Sequence, residues 1–342
     1  MFPKSNGGGK RGPIRYLITG GAGFIGSHLA DALAARGDRV LLLDDLSTGR
    51  MENVEHLLDG RHGDRVSFEM GSALDHPLVR RLASNADVIV HLAASVGVQL
   101  IISRPLEAVL NNIRGTEIVL DVAARHGCHV LVASTSEIYG KNGAGPLRED
   151  SDRILGSPFK TRWAYSTSKA VDEILAHEYW RQRELPTIVA RLFNCSGPRQ
   201  TGAYGMVIPR FVHQALTGED LTVYGDGTQA RCFCHVADTV QALIGLLDCE
   251  RAIGDVFNVG SQDEISIRGL AELVITVTGS GSGIRSIPYD EAYESGFEDM
   301  QRRFPDIGKI TRLTGWAPTR SLEDIIRDVS TYQRTRTVEV PA

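Results

Sequence analysis

"YLITGGAGFIGSHLADAL", residues 16–33, decides the fold. A short apolar run, Tyr16 to Thr19, reads as a buried strand, and the stretch from Ser27 onward reads as a helix. Between them stand Gly20, Gly23 and Gly26, with Phe24 and Ile25 inside the same turn. Glycines at a strand-to-helix turn let the backbone approach a pyrophosphate, which then rests on the free N–H groups of the helix N-terminus. A glycine triplet alone could be only a tight turn. Here a second apolar strand, "RVLLLDD" (39–45), follows and ends in Asp44 at the distance expected of a ribose-binding acid. That context makes the turn a dinucleotide site. A carboxylate there repels a 2′-phosphate and favours NAD over NADP, although Arg50 stands near enough to accept such a phosphate.

Outward from this turn, strand-like and helical runs alternate. "DVIVHLAA" (87–94), "VLVAST" (130–135) and "PTIVARLFN" (186–194) have the length and apolar content of strands buried on both faces. The helical text between them includes 104–127 and 165–185. This rhythm predicts an α/β fold, a Rossmann-like doubly wound parallel sheet, over residues 14–194. From about residue 195 the chain becomes punctuated by Gly and Pro ("SGPRQTGAYG", "LTVYGDGTQARCFCHV", "FNVGSQDEISI"). Residues 195–330 therefore read as a smaller C-terminal α/β substrate lobe with segments returning to the sheet. Residues 1–13 and 331–342 read as tails.

Composition narrows the function. With 42% hydrophobic residues, 23% charged residues and a net charge of −5, the 342-residue chain reads as an ordinary soluble globule. No long Lys/Arg run suggests nucleic acid or an anionic membrane as partner. The most apolar stretch, "VIVHLAASVGVQLII", is too short to span a bilayer. "MFPKSNGGGKRGP" lacks the apolar centre of a signal peptide. The five cysteines form no CxxC pair and no metal spacing, so no metal is expected and a reducing cytoplasm is the simplest setting.

Two stretches carry the chemistry. "YSTSK" puts Tyr165 and Lys169 one helical turn apart on one face. A phenol is a poor base at neutral pH unless an ammonium and a cationic cofactor ring favour its phenolate. "LVASTSEIYG" (131–140) ends an apolar strand in Thr135, Ser136 and Glu137. Together with "TGGAGFIGSHL", "HLAA", "NNIRGT", "RLFNCSGPR", "LTVYGDGTQARCFCHV" and "FNVGS", these motifs resemble the extended short-chain dehydrogenase/reductase family of nucleotide-sugar enzymes, from Arg15 to Arg327.

That resemblance implies transient oxidation of the sugar C4 by NAD, with Thr135, Tyr165 and Lys169 at the site of hydride transfer. It places Leu92, Ala93, Ala94 and Asn112 with the glycine turn and Asp44 around the cofactor. Asn194, Arg199, Tyr224, Arg231 and Arg303 fall around a nucleotide-sugar substrate, most simply a UDP-sugar. Relatives form homodimers through two helices per subunit, which match Pro105–His126 and Trp163–Arg183 here. Two positions depart from the family pattern. Ser72 stands where many relatives hold the adenine amino group with an acid, and Cys232 replaces the Asp of an Arg-Asp-Phe segment.

Within the family, the steps after C4 oxidation differ. A 4-epimerase needs nothing ionisable near C5, a 4,6-dehydratase needs a base there, and a uronate decarboxylase loses CO2 from C5 and then protonates it. Glu137 therefore points to chemistry at C5, or else pairs with a neighbouring base and shapes the strand end. "YESGFEDMQRRFPDIGKITRLTGWAP" (293–318) resembles UDP-glucuronate decarboxylases and the polymyxin-resistance decarboxylase. In the latter, the Arg aligned with Arg303 is a proposed proton donor. "GPRQTGAYGMVIPRF" (197–211) is closer to 4-epimerases. UDP-glucuronate decarboxylation is the leading expectation, with 4-epimerisation and 4,6-dehydration behind it. A non-catalytic NAD-sensing protein is the alternative from another class.

Overall fold

The computed structural model describes residues 12–60, 65–95, 105–143, 145–202, 205–288, 291 and 300–338. Most of the expected N-terminal tail, and residues 293–299 of the decarboxylase-like stretch, lie outside the described residues.

Seven parallel strands form the central sheet. From one edge to the other they are Val256–Val259, Thr187–Leu192, His129–Thr135, Val88–His91, Arg15–Thr19, Arg39–Asp44 and Val66–Met70. The order reverses between the strands Arg15–Thr19 and Val88–His91, so a crevice opens at the carboxyl ends of those two strands. Ligands of open α/β sheets bind in such crevices.

Side chains on both faces of the sheet are apolar because helices cover both. On one face Leu17, Ile89, Val130 and Val132 meet Val119, Leu120 and Ala123 of the helix Pro105–His126, together with Ala176 of the helix Ala164–Arg183. On the other, Ile18, Leu42, Val90 and Leu131 meet Leu29 and Leu33 of the helix Phe24–Arg36. The same face is closed by Leu243 and Leu246 of the helix Val236–Leu247. That helix, the strand Val256–Val259 and the helix Gly308–Thr314, whose Ile310 joins the same core, return to the sheet from beyond residue 195. The lobe has its own core, in which Phe211, Leu270, Ile325 and Val329 come together from three helices.

Two sequence expectations need correction. Residues 331–338 are not a tail, because the helix Leu322–Val338 runs through them. Its apolar positions Ile325, Ile326 and Val329 are buried, and Gln333 donates a hydrogen bond to the Pro209 carbonyl at 2.9 Å. The strand Val66–Met70 was not among the strand-like runs. As an edge strand it is only partly covered, so it lacks the continuous apolar text of its neighbours.

Candidate active site

One cavity of about 990 Å³ lies over the crevice, and every site residue expected from the sequence lines it. The end of it nearest the glycine turn is built largely from backbone. Gly20 has φ +72°, a conformation other residues adopt only with strain, and a Cβ there would stand 2.8 Å from the Ala93 nitrogen. A Cβ on Gly26 would collide with the Gly20 carbonyl oxygen. The turn therefore closes only with glycine at both positions. Asp44 is buried at the end of its strand and accepts hydrogen bonds from the Ala22 and Leu46 N–H groups, both at 2.9 Å. Burial raises its pKa, and those two N–H groups oppose the rise. An ionised carboxylate has about four acceptor sites, so ribose hydroxyls can share the same oxygens. Ser72 also lines this end and accepts the Leu74 N–H at 3.3 Å. Asn112 is buried and accepts the Ser95 N–H at 2.8 Å, which ties the helix Pro105–His126 to the segment after Ala94. A glycine cradle at a helix N-terminus, with an acid one strand away, fits a dinucleotide.

The middle of the cavity holds Thr135, Tyr165 and Lys169. Thr135 closes its strand, and its hydroxyl accepts the Glu137 N–H at 3.1 Å. The Thr135 side chain also hydrogen-bonds the Tyr165 phenol and lowers its pKa. Even so, the phenol is held well above its ordinary range. Burial is the largest cause, and the negative charges of Glu137 and Asp172 add to it. Lys169 is buried and pairs with Asp172 at 2.7 Å. The surrounding burial and negative charge therefore favour the protonated phenol.

Glu137 has the most consequential surroundings. Both Nη atoms of Arg162 hydrogen-bond its carboxylate, the Nη2–Oε1 contact being 3.0 Å, and Arg303 Nη1 reaches Oε1 at 3.1 Å. Burial alone would push this carboxyl up, but the two guanidiniums outweigh it and hold the pKa at about 2. Glu137 is therefore an anion between two cations and does not carry a proton. Arg303 also donates to Asn194 Oδ1 at 3.1 Å, and Asn194 donates to the Cys232 carbonyl at 2.7 Å. Arg303 and Arg231 are register partners on adjacent parallel strands, which sets two guanidiniums side by side.

At the substrate-lobe end, Arg231 is buried and bonds the Ala230 carbonyl at 2.8 Å. The Tyr224 ring lies under the Arg210 guanidinium at 4.4 Å. Arg199 lines the cavity but is tied to Asp31 of the first helix at 2.7 Å. Two lining arginines were not singled out in the sequence, Arg162 and Arg210. Arg162 lies in the 3-10 turn Thr161–Trp163 just ahead of the Tyr165 helix, where no motif marks it. Arg210 lies inside "MVIPRF" with no signal of its own.

Residues 17–329 match the family model described as GDP-mannose 4,6 dehydratase. The chain is 40% identical over 326 residues to a UDP-N-acetyl-alpha-D-glucosaminuronate decarboxylase of Bacillus cytotoxicus, covering 95% of this chain and 98% of that one. It is 38% identical to UDP-glucuronic acid decarboxylase 1 of Xenopus tropicalis, covering 94% of this chain and 72% of that protein. The crystal structure of UDP-glucuronic acid 4-epimerase from Bacillus cereus, in complex with UDP-glucuronic acid and NAD, is similar with a TM-score of 0.83. That match has 28% identity and covers 94% of this chain and 100% of the other.

Proposed function

This chain belongs to the GDP-mannose 4,6 dehydratase family of extended short-chain dehydrogenases/reductases, and from that premise we propose that it is an NAD-dependent decarboxylase of a UDP-linked hexuronate. The observation that carries this reading is the convergence of Arg162 and Arg303 on Glu137, beside Tyr165. Guanidinium forks match carboxylate geometry, so a C6 carboxylate can share the donors that Glu137 now holds. A C6 hydroxymethyl group would make far less use of them. Relatives named for decarboxylation of uronates, at 34–40% identity, support the same conclusion.

The residues divide the reaction among them. Tyr165 accepts the C4 hydroxyl proton, with Thr135 orienting the phenol and Lys169 one turn away. NAD, when bound, takes up the C4 hydride and can return it. The resulting 4-ketone makes the sugar a β-keto acid. The C5–C6 bond then breaks, CO2 leaves, and its electron pair passes into an enolate whose oxygen lies at C4, where Tyr165 can return its proton. C5 must next be protonated. Arg303 stands at the right wall, but a guanidinium is a weak acid, so it acts through a relayed water or by holding the leaving carboxylate. Glu137 aligns both arginines and, as an anion, repels the substrate carboxylate. That repulsion is relieved as the charge moves towards C4, which favours the transition state over the ground state. The product is a UDP-4-keto-pentose, or UDP-xylose when the hydride is returned.

Mass spectrometry of products from UDP-glucuronate, its 2-acetamido counterpart and UDP-glucose tests this. Loss of CO2 from at least one of the two acids is expected. Recovery of UDP-galacturonate with its carboxylate intact would make the enzyme a 4-epimerase, with Glu137 structural. The helices Pro105–His126 and Ala164–Arg183 keep Leu106, Leu110, Ile174 and Trp180 exposed, an apolar surface suited to a four-helix homodimer interface. Sedimentation should give a dimer at micromolar concentration, and a monomer would contradict this. Five free thiols and the absence, among the described residues, of a helix able to cross a membrane support a cytoplasmic enzyme.

A further inference from the structure

Tyr165, Lys169 and Asp172 stand at i, i+4 and i+7 on the helix Ala164–Arg183, so the three share one face. Asp172 is completely buried, and the Lys169 ammonium meets its Oδ2 at 2.7 Å. Asp172 Oδ1 has no hydrogen-bond partner among the described residues. This carboxylate therefore relies on Lys169, and a buried ion pair with one oxygen unsatisfied is a costly way to fill a helix–sheet contact. A small neutral residue would fill the position at less cost, so packing does not account for the charge.

The neighbouring elements do not account for it either. The strand Val88–His91 presents His91, whose pKa is lowered to about 3 by burial and then by the Lys169 charge, leaving it neutral. The helix Pro105–His126 contributes Asn112 and Thr116, both uncharged. Glu173 turns to the other side and closes on Arg191 and Ser134. The remaining charges that face Tyr165 are Glu137, with Arg162 and Arg303 clamped on it. Asp172 is thus the counter-charge of Lys169, and it sits behind the lysine as seen from the phenol.

We propose that Asp172 is a positioning residue that holds Lys169 back by this buried pair and so governs when Tyr165 can take the proton of the sugar hydroxyl. Left alone, Lys169 would bring its full charge to bear on the phenol and ease its ionisation whether or not the cofactor end is filled. Paired with Asp172, it leaves the phenol protonated until a further positive charge arrives at the site. Tyr165 becomes a base only when the cofactor end is filled, and the chain avoids an idle buried phenolate. The proposal rests on C4 oxidation by Tyr165 as read above, and not on the decarboxylation that follows.

The test follows the Tyr165 ring directly. In enzyme labelled with carbon-13 at the tyrosine Cζ, with NAD added, the Tyr165 resonance is identified by its loss in Tyr165→Phe. In Asp172→Asn it should titrate about one pH unit lower than in the wild type, a tenfold gain in phenolate at a given pH. The acid limb of C4 oxidation should move by the same amount. Asp172→Ser, smaller and equally neutral, should shift in the same direction, whereas Asp172→Glu should return the titration towards the wild-type value. An unchanged or raised titration in folded Asp172→Asn overturns the proposal. Loss of near-UV circular dichroism in both neutral variants also overturns it, since the pair would then serve folding. If Tyr165→Phe instead turns over normally, the assignment of the C4 base fails, while the resonance shift still decides what Asp172 does.

Discussion

On the proposed reading, the two ends of the cavity recognise their ligands by opposite means. At the cofactor end the work falls to backbone: Gly20 and Gly26 leave room for close approach, the helix N-terminus offers N–H groups, and even Asp44 is held by the N–H groups of Ala22 and Leu46. At the sugar end it falls to side chains drawn from four distant segments: Glu137, Arg162, Asn194 and Arg303. A backbone site spreads its contribution over many groups, each worth little alone. A side-chain cluster concentrates it, because removing one member leaves its partners buried and unsatisfied. Single substitutions should therefore act unequally at the two ends.

The largest effect is expected at the junction of the ends. Tyr165→Phe removes the proton acceptor and should lower turnover about a thousandfold or more, within the usual range for losing a general base. Lys169→Met should do the same while binding of the nucleotide sugar stays measurable by calorimetry. Near-normal turnover by Tyr165→Phe would mean that C4 oxidation is run by another group.

Next comes the clamp on Glu137, which should be visible without substrate. Its folded pKa of about 2 lies below the ordinary glutamate value of 4.5. A depressed carboxyl contributes stability that is fully present above the unfolded pKa and is lost as pH falls through the folded one. Thermal unfolding from pH 6 downwards should therefore lose on the order of 3 kcal/mol from this group between about pH 4.5 and 2. Glu137→Gln should flatten that part of the profile. Equal slopes in the two proteins would show that the clamp is not an ion pair in solution.

The same cluster should separate two chemical steps. Glu137→Ala leaves Tyr165 and the glycine turn intact, so C4 oxidation should persist, seen as absorbance of the reduced cofactor. CO2 release should slow about a hundredfold, the loss expected when a charged group that acts in the transition state is removed. Arg303→Ala should either raise KM for the acid substrate or accumulate the 4-keto pentose. If both steps slow together in Glu137→Ala, the residue supports Tyr165 rather than chemistry at C5.

The same contrast explains what could be read from the chain beforehand. The glycine turn, the acid at residue 44 and the Tyr-x-x-x-Lys helix are local patterns, in which spacing along the chain fixes spacing in space. The alternation of strands and helices is legible for the same reason. Glu137 was noticed, but its state was not. Whether it held a proton depended on Arg162 and Arg303, which lie 25 and 166 residues away. Arg210 above Tyr224 and Asp172 behind Lys169 were hidden differently: neither belongs to a motif, and each gains meaning only from what its helix faces. The strand Val66–Met70 was missed because an edge position lets polar text form a strand.

The smallest effect belongs to the cofactor end. Asp44→Ala removes a charged acceptor for the ribose hydroxyls, and hydrogen bonds to charged groups are worth about 1.5–3 kcal/mol. The glycine turn and the helix N-terminus remain to hold the pyrophosphate, so NAD binding should weaken by only about tenfold. NADP should lose little, because the same carboxylate that holds the hydroxyls repels a 2′-phosphate, and the preference for NAD should narrow. Arg50 lines this part of the cavity, so adding Arg50→Ala should remove most of the NADP binding that remains. Titration of cofactor fluorescence across the wild type and both variants checks this. Tighter NADP than NAD binding in the wild type would refute the reading of Asp44. Gly26→Ala is the counter-case within the same end: its Cβ would collide with the Gly20 carbonyl, so it should cost far more cofactor affinity than Asp44→Ala. Were the two to come out alike, backbone would not be what recognises the cofactor.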